Sequence, residues 1–162
     1  MAIKAPLVMG SDGLPQQLQP ADSLASAGAT YISRTVTNSE GASAIVIGAP
    51  VYAFAADAVK KAQANAKATS KLAGLGLSTT TAAGALGDII SEGVLVATAV
   101  QWDAVAGTTG GLAFGTIYFL DPVTSGKLTA TPPSTVGQCV VVIGVALSTT
   151  ELDLQISLPI LL

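Results

Sequence analysis

AIVIGAPVY at residues 44–52 is followed by GLGLSTT at 74–80; GLAFGTIY at 111–118 is followed, in the same order, by GVALSTT at 144–150. Gly48 aligns with Gly115, Tyr52 with Tyr118, Gly74 with Gly144, and LSTT at 77–80 with LSTT at 147–150. A shared LSTT alone is a weak signal, but the ordered set marks a β unit used twice. Each unit reads as strand, tight turn, strand, loop, strand. One such unit leaves bare edges and an uncovered apolar face, whereas two packed together close a small barrel or sandwich. Gly48 and Gly115 fall where a strand bends or bulges. The repeated tyrosine suits a ring in the core with its hydroxyl at the rim.

Working outward, the C-terminal half is strand-rich. GVLVATAVQW (93–102), GLAFGTIYFL (111–120), GKLTAT (126–131), QCVVVIGVAL (138–147) and ELDLQISL (151–158) are β-branched or alternate with period two. Gly-rich, Asp-Pro, Pro-Pro and Ser-Thr-Thr turns separate them. In the last segment, Leu152, Leu154, Ile156 and Leu158 are expected on one face. Pro50 points to a strand edge or bulge. Residues 53–69 are Ala- and Lys-rich and stay open between a turn with a short strand near 58–61 and one or two helical turns at 63–69. Residues 1–43 sustain neither period and carry Pro15 and Pro20, so they read as an extended arm with scattered apolar anchors. The expected architecture is mainly β: a small β-barrel or β-sandwich at 44–162, with repeat units at about 44–81 and 111–162, behind an N-terminal arm at 1–43.

Composition narrows function. The 162 residues are 50% hydrophobic but only 10% charged, well below the ~25% of an ordinary soluble domain. Mean hydropathy is +0.62, yet the longest apolar run, 139–147, is too short for the ~20 residues of a spanning helix. No membrane span is expected, and no signal peptide. There is no His, which removes the usual general base and commonest metal ligand. The single Cys139, inside QCVVVIG, reads as a small buried hydrophobe. One arginine, Arg34, and a net charge of −3 argue against nucleic-acid binding. Weakly charged, partly apolar surfaces usually face another protein.

No constellation of chemistry emerges. Asp57, Asp88, Glu92, Asp103 and Asp121 fall mostly in expected turns, where they bond local backbone. Ser70 and Lys71 are adjacent, which is not dyad spacing, and no phosphate loop is present. Trp102 reads as a structural anchor at a strand end. No enzyme activity, metal or cofactor is expected.

Residues 102–162 resemble the C-terminal β domain of tailed-bacteriophage capsid decoration (cement) and head-fibre proteins. The shared pattern is GGL-x-x-G-x-x-Y from Gly110, G-x-L-T-x-T-x-P from Gly126 and G-x-x-V-V-x-x-G-x-A-L-S from Gly137, with a closing apolar strand. APLVMGSDGLPQQLQPADSL at 5–24 is similar to segments by which such proteins attach to the particle. The resemblance implies a virion protein made in the bacterial host cytoplasm and placed on the capsid surface. It implies a homotrimer whose arm grips the major capsid protein, with Leu7, Val8, Leu14, Leu18 and Leu24 as contacts. A head-fibre or tail-fibre adaptor and a carbohydrate-binding host-attachment module are the alternatives. The absence of a fibrous extension favours the compact decoration protein.

Overall fold

The computed structural model describes residues 31–162, together with the backbone of two short strands in the N-terminal segment. Those two, β1 (Leu7–Met9) and β2 (Pro15–Gln17), pair antiparallel. The remaining strands are β3 (Ile32–Asn38), β4 (Ile45–Val46), β5 (Pro50–Ala55), β6 (Ala58–Lys61), β7 (Leu72–Gly76), β8 (Thr80–Thr81), β9 (Leu86–Val96), β10 (Ile117–Leu120), β11 (Leu128–Thr129), β12 (Cys139–Val140), β13 (Val142–Ala146), β14 (Glu151–Leu154) and β15 (Ile160–Leu161). One helix, α1 (Ala99–Ala106), interrupts them. The protein is mainly β.

The strands β9-β3-β6-β5-β7 return to β9 and close a five-stranded barrel. Every pairing in it is antiparallel except β3 with β6. The far half of β9 then starts a second curved sheet, in the order β9-β14-β13-β10-β11. This sheet repeats the barrel strand for strand. Leu75↔Pro50 and Gly74↔Val51 recur as Val145↔Ile117 and Gly144↔Tyr118, each ladder slipping at the next residue. Tyr52↔Lys60 recurs as Phe119↔Thr129, and Ile89↔Gly76 as Leu152↔Ala146. Arg34↔Ile89 recurs as Leu95↔Leu152. Even the entry turn is copied: Ala49 N donates to Val46 O, and Thr116 N to Ala113 O, both at 3.1 Å. Gly48 and Gly115 sit in these turns at φ 79° and 73°, a region that glycine enters without strain.

The duplication is therefore real in the backbone, with three corrections to the sequence reading. Tyr118 corresponds to Val51, and Tyr52 to Phe119. Counting from Gly48 and Gly115, each ladder reaches its second pair after three residues, leaving no room for the extra residue that matching the tyrosines inserts. The units also run further than 44–81 and 111–162, because β3 and both halves of β9 belong to them. Consequently the 1–43 arm is too long: β3 pairs with β9 along its length. Past it, buried Asn38 donates to Ser43 O and Thr81 O and accepts from Glu40 N. Residues 32–43 belong to the barrel.

The two cores use matching positions. Val36, Ile45, Val51, Val59 and Ile89 fill the first; Ala97, Leu112, Tyr118, Leu128 and Leu152 take their places in the second. The large Tyr118 for Val51 is offset by the small Ala97 for Val36, as close packing requires. Tyr118 is buried with its hydroxyl accepting from Ala113 N at 3.0 Å.

The second unit closes differently. In the first, the chain beyond Thr35 runs on to pair with β6. At the matching place Thr98 caps a helix: Gln101 N donates to Thr98 Oγ1, and Thr98 N donates to Gln101 Oε1. This T-x-x-Q capping box overrides the β propensity of AVQW, which the sequence reading placed in a strand. Helix α1 packs against β11 in place of a closing strand. Elsewhere, residues 53–69 resolve into the end of β5, a turn, β6 at 58–61 and further turns. Pro50 opens β5, where a missing N–H is tolerated, with a bulge just after it. Strand β14 stops at Leu154, so Leu158 is exposed rather than sharing the inner face.

Gly74 and Gly144 are matched in space as well as in register. A Cβ would lie 2.5 Å from Ile90 O at Gly74 and 2.0 Å from Asp153 O at Gly144. Gly144→Ala is expected to destabilise by about 1–3 kcal/mol through overpacking. Gly41→Ala, where nothing lies within 4 Å, should leave the melting temperature unchanged. Thermal unfolding of the two variants checks this.

Candidate functional site

Trp102 wedges the two units together. It is fully buried, and its Nε1 donates to Thr150 O of the second unit at 3.0 Å. Its ring edge lies where a Cβ on Gly48 of the first unit would come within 2.8 Å. It is the expected structural anchor, though on a helix rather than a strand end. With Tyr118 also buried, neither ring can stack on a ligand.

Asp103, next along α1, organises the loop beyond the helix. Its carboxylate accepts from Gly111 N at 2.7 Å, Gly110 N at 3.0 Å and Thr108 Oγ1 at 2.9 Å. The Gly111 amide chiefly holds its pKa below the ordinary 3.8, with Gly110 and Thr108 adding to the effect and desolvation opposing it. Asp121 likewise bonds its own turn through Val123 N and Thr124 N. Asp57 sits in a turn and pairs with Arg34 at 2.6 Å. Asp88 and Glu92 instead lie in β9, not in a turn; Asp88 accepts from Thr35 Oγ1. No three of Cys, Asp and Glu converge among the described residues. The Ser70 hydroxyl is spent on Ala66 O and Gln63 O. Cys139 is a free, buried thiol. No helix among the described residues is long and apolar enough to cross a membrane.

What remains is surface. Ile117, Val145, Asp153 and Val94 stand in register across four strands of the second unit, on the side away from its core. Val96, Leu147 and Phe114 extend this face and are 58%, 44% and 80% exposed. Its acids, Asp153 and Glu151, accept from Gln155 and Ser148. At the matching positions of the first unit, Pro50, Leu75 and Ile90 are buried; Leu75 and Ile90 join the core cluster shared with the second unit. On these three strands the face is covered within the chain in the first unit and open in the second, while Ser33 and Thr35, the β3 matches of Val94 and Val96, are exposed but polar. The sequence reading missed it because it treated period-two alternation as core against solvent; here Val94, Val96 and Val145 put apolar groups on the outer side too.

Of the capsid-contact candidates, Leu7 and Val8 fall in β1, while Leu14, Leu18 and Leu24 lie outside the described residues. Gly48, Gly74, Gly115 and Gly144 occupy the turns and close strand contacts described above, and Tyr52 faces outward from the first barrel onto the shared core. No family model matches the chain, and neither a curated protein nor a solved structure matches it.

Two outcomes are expected. Trp102→Ala should cost about 3–5 kcal/mol, as a large core truncation does, read by denaturant unfolding. For Asp103, a lowered folded pKa means its contribution is complete above the ordinary carboxylate value and fades as pH falls through the lower folded value. Asp103→Asn should therefore melt lower than the parent at neutral pH, and the gap should shrink below about pH 4. A gap unchanged across that range would rule out the Asp103 contacts as its source.

Proposed function

We propose that this chain is a virion structural protein that decorates and stabilises the exterior of a phage capsid, as a homotrimer anchored through its N-terminal segment. The observation that carries the reading is the open apolar face of the second unit, in a chain with few charges. Phe114, Val96, Ile117 and Leu147 are each at least 44% exposed there, which favours a protein-covered surface over a solvated one. The resemblance of residues 102–162 to decoration and head-fibre proteins agrees with it. The mechanism is additive: apolar burial and strand addition by each N-terminal segment on the major capsid protein, multiplied by three segments held in one oligomer. Head-fibre or tail-fibre adaptors differ from decoration proteins in copy number.

Quantitative mass spectrometry of purified particles tests the reading. Copies in a simple lattice ratio to the major capsid protein support decoration. A few copies per particle support an adaptor, and absence from particles rejects the virion reading. Every strand of both units lies at or beyond Ile32, so a chain lacking residues 1–28 should still fold and should lose particle binding. Full binding by that truncated chain would sink the anchoring mechanism.

A further inference from the structure

The turns that follow β6 and the segment at 156–159 enclose a groove of about 610 Å³, lined by Lys67, Lys71, Leu72, Ile156, Leu158 and Pro159, with Ser157 between them. Its floor is apolar, since Leu72 and Ile156 pack on the core. Its rim carries two exposed lysines. No carboxylate lines it, and the one ion pair among the described residues is Arg34–Asp57. Two lysines left without acids, in a chain of net charge −3, make this a locally positive site on an acidic protein.

The backbone beside the groove is an edge. Gln155 N and Ser157 N donate inward to Ile143 O and Val142 O, and Val142 N donates to Ser157 Oγ. The alternate amides, of Ile156 and Leu158, donate to no group among the described residues. An edge with free amides is a template for an added strand.

We propose that this groove binds an extended, acidic segment of a partner protein by strand addition along residues 156–158. The segment's carboxylates meet Lys67 and Lys71, and an apolar side chain enters between Leu72 and Ile156. The site is independent of the capsid reading and of the open face of the second unit.

The test is fluorescence anisotropy of the full chain with a labelled peptide of alternating Asp and Leu, against the same peptide with Lys for Asp. The expected result is binding of the acidic peptide alone, weakening as salt rises. In K67E/K71E it should weaken at least about tenfold, since like charges then face each other. Both lysines are exposed, so an unchanged melting temperature is expected; K67Q/K71Q serves as the milder variant if the double reversal unfolds. Leu158→Asp should weaken the acidic peptide while leaving both lysines in place. The proposal is overturned if the acidic peptide does not bind, if the basic peptide binds as well, or if K67E/K71E binds like the parent. It is also overturned if self-association competes with the peptide, which would make a second copy the occupant.

Discussion

Strand β9 belongs to two sheets at once, one closed into a barrel and one left open. Along residues 86–92 it pairs with β3, and at Ile89 and Ile90 also with β7, sealing the first barrel. Along 93–96 it pairs with β14 and begins the second unit. Between the two halves stands Gly93, at φ 103°. Each unit completes its ladders with its own half, but the two halves are one continuous strand, so neither edge of the junction can come apart without disturbing the other. Unpaired buried backbone groups are expensive, so the shared strand ties the two units' stabilities together. Trp102 and the loop at 62–64, whose backbone bonds Asp121 and Cys139, reinforce the same junction.

The repeat was visible in the sequence because its strictest positions are glycines. Gly48 and Gly115 need positive φ, and Gly74 and Gly144 lack room for a Cβ, so physics restricts them in both copies alike. The tyrosines carry no such restriction, and matching them displaced the alignment by one residue. The first unit's outer strands, β3 and residues 86–92 of β9, were missed for a different reason. β3 and β9 pair with partners far along the chain, and nothing local distinguishes ISRTVTN from an extended arm. Period two was too coarse a guide where a strand is apolar on both sides. Helix α1 was hidden under β-branched composition, although its capping box was already spelled out at 98–101.

As for sites, the sequence correctly assigned Cys139 to the core, Trp102 to an anchoring role and Asp121 to its own turn. It did not reveal the outer face of the second unit or the lysine-rimmed groove. Both depend on which side of a strand points away from the core, and on two segments, 67–72 and 156–159, that meet only in the folded chain.

Trp102 has a further consequence. It is the single indole in the sequence, and it sits dry at the seam between units with its N–H bonded to Thr150. The protein therefore carries a built-in optical reporter at one defined place. Its ultraviolet emission, excited selectively against three tyrosines, senses hydration at the junction itself. A red shift that precedes loss of the far-ultraviolet β signal would mark the units parting before either melts, while coincident changes would mark a single cooperative body.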